Sequence, residues 1–494
     1  MLWFGYTYYI VFNILLCVYI FSVLKLLYIY SVYRFTVFSN LNKIFNIWVL
    51  FLKLSLFTFL NATLNSYQNL IYVSRDSGSN IQLLNYLDFN YFTNLSSFSQ
   101  HIYNVYTYPF IYVFLLITIL SLFFCLSYNF DELYSFMFFC IFILLSGYVL
   151  FFTDSLILFF LAYEMLLVPS FFILYKFAKT RRCVEASYLM FFWTQFGAFF
   201  IIFAFLYIFL ACDSSLFSVI TLKYFSIFET NFIFICLLFG FGVKLPIWPF
   251  YGWLPKAHVE ASTNFSIFLS GVLVKFAFFG FLKCLITINL NPSFIYVYPY
   301  LLIGISDSVL KLFYQIDLKK LVAYSTVVEM HWLTMCVVCG QSNLLFANFC
   351  MLISHALLST NSFLLVDAVA RRFKTRLITE ISGINFTNPK LFLTSLLNCL
   401  IFLGFPGSIF FIAEILFFSF VFDLFPTITL VLLLLLYLIA PTFFFRSWIN
   451  LMFSKSFFFS KYLPVDLTSR EFLLFVFIPL LMFWLGFSWQ SFII

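Results

Sequence analysis

Charge is what this chain of 494 residues has least of: Asp, Glu, Lys and Arg together make up 9% of it. A soluble protein of that length needs a charged exterior over most of its surface, so a large water-exposed domain is excluded. Period-2 alternation of apolar and polar residues is also missing, which excludes a transmembrane barrel in favour of helices. There is no nucleotide-binding fingerprint, and no basic stripe with interleaved aromatics lies in a polar segment. The net charge of +7 is scattered along the chain, so nucleic acid is not an expected partner. Histidines at ligand spacing are absent, and Cys336 and Cys339 form the one close cysteine pair, inside an apolar run. The cysteines therefore read as buried free thiols, and no metal site is expected. The N-terminus, Met-Leu-Trp-Phe-Gly-Tyr, runs into an apolar stretch with no Arg-rich, Ser-rich presequence, so no removable leader is expected.

What is present is apolar length. Hydrophobic residues are 64% of the chain, and runs of about 20 apolar residues, enough to cross a bilayer core, recur throughout. Counting them between polar breaks predicts an all-α polytopic membrane protein with spans near 8–30, 44–62, 109–127, 134–153, 155–176, 185–210, 230–255, 264–287, 295–313, 319–338, 343–367, 390–421, 426–445 and 470–490. The stretch 63–108, rich in Asn and Ser, is the main non-membrane segment and is too short for a domain. The 80 Phe and 31 Tyr exceed what packing demands; with Ile, Asn and Lys they share AT-rich codons, which suits an organellar genome. Lys and Arg gather after odd-numbered spans: Arg34 and Lys43; Lys176, Lys179, Arg181 and Arg182; Lys319 and Lys320; Arg371, Arg372, Lys374 and Arg376; Arg446, Lys455 and Lys461. By the positive-inside rule those loops face the matrix or cytoplasm.

Two spans carry helix breakers. The seventh contains Gly242-Val243-Lys244-Leu245-Pro246-Ile247-Trp248-Pro249, and the twelfth contains Gly404-Phe405-Pro406-Gly407. They lie five spans apart, so a five-helix repeat would set them in opposite orientations, as in transporters built from inverted repeats; two unrelated proline kinks are the alternative. Six ionisable residues stand well inside spans: Glu164, Lys244, Lys275, Glu329, His355 and Glu414. Each costs about 2.5–3.5 kcal/mol to insert, so a chain that keeps several has a use for them. Carboxylate, lysine and histidine in alternation suit proton transfer rather than anion binding, because burial penalises the charged form of each type. A Glu164–Lys244 pair would hold both ions charged, and separating it would release a proton. The plainer alternatives are helix-end carbonyls satisfying Lys244 and an interhelical hydrogen bond for His355. His331, two residues from Glu329, points to nearly the opposite helix face. Asp154, Asp367 and Lys283 are near span ends, where solvation accounts for them; His258 and Glu260 would line a vestibule after the seventh span.

These residues fall within longer stretches. Val243–Ala261, which reads VKLPIWPFYGWLPKAHVEA, with Gly271-Val-Leu-Val-Lys275 after it, resembles the signature of the antiporter-like subunits of respiratory complex I. Tyr163-Glu164-Met165 with Pro169 resembles their fifth helix, and Gln315-Ile-Asp-Leu-Lys-Lys-Leu-Val-Ala-Tyr-Ser325 the start of their tenth. Leu254–Ala261 together with Arg372 and Thr375-Arg376 looks most like the chain 4 type of that family. The resemblance covers roughly residues 130–450 and is weak over the first hundred. It implies fourteen helices with two inverted five-helix repeats and broken helices 7 and 12. The division expected is 1–130 with loop 63–108, a first repeat at 131–290, a second at 291–446, and a last helix in 447–494. On matching positions Glu164 and Lys244 would be the coupling pair, Lys275 the central relay, His355 a connecting group and Glu414 the exit-side acid. The chain departs from the family pattern at Glu329, where a histidine is usual; at Ser262, where proline is usual; and at Phe265, where glycine is usual.

The function so implied is proton translocation driven by NADH-to-ubiquinone electron transfer in other subunits, with no flavin, iron-sulfur or quinone ligand in this chain. Expected partners are the other membrane-arm subunits of complex I, neighbouring antiporter-like subunits above all, with membrane lipid and respiratory supercomplex components. The expected location is the mitochondrial inner membrane, multi-pass, organelle-encoded, with the basic loops on the matrix side. A Na⁺/H⁺ antiporter subunit and a structural membrane-arm subunit remain as alternatives.

Overall fold

The computed structural model describes residue 117 and residues 130–177, 180–288, 297–338, 342–424, 426–453 and 465–487. These residues belong to one compact unit and are helical nearly throughout. The first two expected spans, nearly all of the third, and loop 63–108 lie outside the described residues, as do Arg34, Lys43, Lys179, Cys339, Lys455 and Lys461.

The other expected spans appear in order. They are α1 (Phe130–Phe152), α2 (Leu156–Lys176), α3 (Arg181–Cys212), the broken pair α4 (Ile227–Lys244) and α5 (Trp253–Glu260), and α6 (Thr263–Thr287). Then follow α7 (Val297–Phe313), α8 (Leu318–Val338), α9 (Ser342–Phe373), the broken pair α10 (Pro389–Phe402) and α11 (Ile409–Leu424), α12 (Pro426–Phe453) and α13 (Ser469–Phe487). Local chemistry explains several of the boundaries. Ser226 and Glu229 close a capping box at the start of α4. The Ser262 hydroxyl accepts from the Phe265 N–H at 3.4 Å at the start of α6, so the residue standing in place of the usual proline is a working N-cap.

Features of the first half recur in the second. The Leu156 N–H donates to Ser215 C=O and the Phe217 N–H to Asp154 C=O, pairing the α1–α2 and α3–α4 connections. The Leu318 N–H donates to Arg376 C=O and the Ile378 N–H to Ile316 C=O, pairing the α7–α8 and α9–α10 connections in the same way. A π-helical turn interrupts α6 at Leu269–Leu273, and another lies in α12 at Leu433–Ile439. With a broken helix in each half, this is the five-helix repeat.

The second set of paired connections lies on the face that also carries the basic loops. Lys319 Nζ donates to Ala261 C=O at 2.5 Å, Arg376 donates to Val259 C=O at 3.0 Å and pairs with Asp317 at 3.6 Å, and Cys183 lies 3.4 Å from Glu260. Lys319 is therefore not a solvated loop residue. It is in the first turn of α8, buried, holding the carbonyl end of α5 where the helix dipole is negative. Lys283 also differs from expectation. It is 4% exposed, and its ammonium donates to Thr153 C=O at 2.5 Å and to Phe151 C=O at 3.3 Å at the end of α1. Helix-end carbonyls, not solvent, satisfy it. Asp154 is exposed as expected, and Asp367 pairs with Arg371 at 2.8 Å.

Candidate functional site

Glu164 and Lys244 meet. Pro169 supplies no N–H for the carbonyl four residues before it, and α2 loosens around Leu166, just after Glu164. Lys244 is the last residue of α4, delivered to the bundle interior by the break itself. Its Nζ is 3.6 Å from Glu164 Oε1, donates to Tyr163 C=O at 3.1 Å, and lies 3.4 Å above the centre of the Tyr163 ring. Gln195 of α3 donates to the other carboxylate oxygen at 2.8 Å. The pair is partly buried; Gln195 and the Tyr163 carbonyl meet part of its hydrogen-bonding capacity, and Glu164 Oε1 has no hydrogen-bond partner among the described residues. Gln195 was not singled out in the sequence; its signal was a lone amide in an otherwise apolar span. A cavity of about 30 Å³ beside the pair is lined by Tyr163, Ser170, Thr194, Lys244, Leu273 and Val274. It is an apolar gap between Lys244 and the helix that carries Lys275.

Lys275, His355 and Glu329 form a second group. In α6 the Val274 N–H reaches back five residues to Leu269 C=O, and the widened turn lets the Lys275 ammonium donate to Ser270 C=O. Lys275 Nζ is also 2.5 Å from His355 Nδ1. A lysine donating to Nδ1 assigns the His355 proton to Nε2, and Nε2 faces Glu329 Oε2 at 3.7 Å. That gap is too long for a direct bond and suits a bridging water. All three residues are at least 95% buried. The structure thus sets His355 between Lys275 and Glu329, so the chain order of these residues is not their spatial order.

Glu414 stands apart. Trp332, one turn after Glu329, packs on Phe417 and Phe418, one turn after Glu414, with ring centroids 5.1 and 6.0 Å away. The two carboxylates therefore lie on facing sides of α8 and α11. Glu414 Oε2 has no hydrogen-bond partner among the described residues, nor has Glu329 Oε2, His355 Nε2 or either ring nitrogen of His258. Buried polar atoms are rarely left unpaired, so these positions, with Glu164 Oε1, suit ordered water. His258 is fully buried and stacks on Phe363 at 4.8 Å, so it lies within the packing rather than in an open vestibule.

Residues 153–440 match the family described as NADH:quinone oxidoreductase/Mrp antiporter, TM. NADH-ubiquinone oxidoreductase chain 4 of Paramecium tetraurelia is 35% identical over 422 residues, 83% of this chain and 84% of that one. The chain belongs to the chain 4 family of antiporter-like complex I subunits. Chain 4 of Acanthamoeba castellanii is 30% identical over 285 residues, 57% of each chain. The fold agrees with a chain of respiratory complex I from Thermus thermophilus with bound NADH, at a TM-score of 0.67 and 21% identity, over 78% of this chain and 82% of that one. For a chain 4 family member the arrangement has a direct chemical meaning. Lysine, imidazole and carboxylate in sequence can each hold or pass a proton, and burial keeps bulk water from short-circuiting them.

Proposed function

We propose that this membrane subunit moves protons along Glu164–Lys244, then Lys275–His355–Glu329, then Glu414, driven by NADH-to-ubiquinone electron transfer in other subunits. The observation that carries the reading is the Lys275–His355–Glu329 group, three buried titratable side chains brought together from three helices. Separation of the Glu164–Lys244 pair, by neutralising or moving Glu164, lowers the affinity of Lys244 for its proton and sends it toward Lys275. Glu329, where a family histidine is usual, still relays, because a carboxylate can take a proton from His355 Nε2 through a bridging water. Moving each proton against 100 mV takes about 2.3 kcal/mol, and nothing in this chain supplies that, so the partners are obligatory.

The remaining assignments belong to the same reading. The partners are the other membrane-arm subunits, especially adjacent antiporter-like ones, together with lipid and respiratory supercomplex components. The chain itself carries no cofactor. It lies in the mitochondrial inner membrane, organelle-encoded, with the basic face toward the matrix. Residues 131–290 and 291–446 are its two repeats, residues 1–130 precede them and the last helix lies within 447–494; the recurring connections and π-turns support that division.

The test is Lys275→Met in the assembled enzyme, in sealed membrane vesicles. Removing a positioned acid–base group slows proton transfer by about 10²-fold or more, so this subunit's share of the protons moved per electron is expected to vanish. An unchanged ratio at normal assembly leaves a structural arm subunit as the answer. Dependence of the ratio on Na⁺ leaves a sodium antiporter.

A further inference from the structure

The break after Lys244 is held by side chains from the other repeat. The Trp248 N–H, in the middle of the interruption, donates to His331 Nε2 at 2.8 Å, and the Trp248 C=O accepts from the Tyr300 hydroxyl. Three residues on, the Tyr251 hydroxyl donates to Asp307, whose carboxylate pairs with Lys311 at 2.9 Å. Contacts from α7 and α8 thus fix Trp248, inside the interruption, and Tyr251, in the 3-10 turn that follows it.

His331 has no capacity left over. Its Nδ1 faces Val327 C=O at 2.8 Å and must carry the proton, while Nε2, receiving an N–H, must not. A second proton would turn the Nε2 acceptor into a donor facing a donor. The ring is fully buried, and α7 makes room for it with Gly304, where a Cβ would run into the imidazole and approach Trp248 Cβ to 2.8 Å. Two residues earlier, on the other side of the same helix, Glu329 faces His355. Helix α8 therefore touches the central proton group with one face and the break that carries Lys244 with the other.

We propose that His331 is a positioning residue, which holds the break at Trp248 so that a shift of α8 on charging or discharging Glu329 is transmitted to the Lys244–Glu164 pair. The inference rests on the proton path proposed above. It assigns the extra histidine a mechanical role in coupling and no role in carrying protons.

The experiment compares His331→Leu, His331→Gln and Lys275→Met in the assembled enzyme, measuring NADH oxidation and protons moved per electron separately. His331→Leu is expected to keep NADH oxidation within about twofold while its proton ratio falls toward that of Lys275→Met. His331→Gln, whose amide oxygen can accept from Trp248 and whose NH₂ can donate to Val327, is expected to recover at least half of the lost ratio. A Gln variant as defective as Leu overturns the proposal, because the ring would then be carrying protons. A normal ratio per enzyme in the Leu variant overturns it as well, whether or not less enzyme assembles. If the Leu variant fails to assemble, Tyr300→Phe removes only the hydroxyl contact to Trp248; a partial fall in ratio supports the proposal and an unchanged ratio sinks it. If Lys275→Met leaves the ratio intact, the proton path itself fails and this inference with it; loss there beside a normal His331→Leu ratio overturns this inference alone.

Discussion

At the first helix break, α4 ends on Lys244 and the chain resumes helical structure at Phe250; at the second, α10 ends on Phe402 and α11 begins at Ile409. The first break presents a cation on its helix end and ties its loose backbone to His331 and Tyr300. The second turns on two glycines in the left-handed region, Gly404 at φ +71 and Gly407 at φ +92, and leaves the Glu414 carboxylate with an unpaired oxygen against Gly404. One break carries an ion pair braced by Gln195, and the other an acid with no ion-pair partner among the described residues. An ion pair favours the charged form of both partners, whereas a lone buried carboxyl has no such support. The two breaks thus carry different chemistry.

The contrast can be broken from either side. Gly404→Ala is expected to have the largest effect on stability. A non-glycine residue at φ +71 is strained by about 1–3 kcal/mol, and its Cβ would displace the Glu414 carboxylate as well. Thermal unfolding of the assembled enzyme should shift down and the proton ratio should fall with it; an unshifted midpoint would mean that the second break does not depend on glycine. Gln195→Leu comes next, leaving Glu164 Oε2 without its donor for about 1–3 kcal/mol and loosening the pair. Coupled NADH oxidation should slow more than uncoupled oxidation, and equal slowing would argue that Gln195 only packs. Lys283→Met is the smallest of the three. It strips the carbonyl end of α1 of its cation, costing at most about 2 kcal/mol, with the proton ratio unchanged. A fall in that ratio would place Lys283 on the proton route.

Much of the fold was legible because lipid imposes a plain rule. Any helix crossing it needs a long apolar run, and the described helices from α1 to α13 follow the runs counted in the sequence, with α9 running past its expected end at 367 to Phe373 and α12 past 445 to Phe453. The breaks were legible too, since Pro246 and Gly404-Phe405-Pro406-Gly407 cannot continue a helix. The six buried ionisable residues were found for the same reason, being expensive where they stand. Lys283 and Lys319 were misjudged because position along a span reports depth, and depth does not show which carbonyls a neighbouring helix turns toward a side chain.

The sequence by itself determined that this is a helical membrane protein, where its helices break, and which ionisable groups it keeps in lipid, because each of those follows from the free energy of a local segment in a bilayer. The tertiary structure decided the order of the groups. That His355 stands between Lys275 and Glu329, that Gln195 braces the Glu164–Lys244 pair, and that His331 serves the backbone of Trp248 are all contacts between helices distant in sequence. Such contacts depend on how helices rotate and pack against one another, which no local segment encodes.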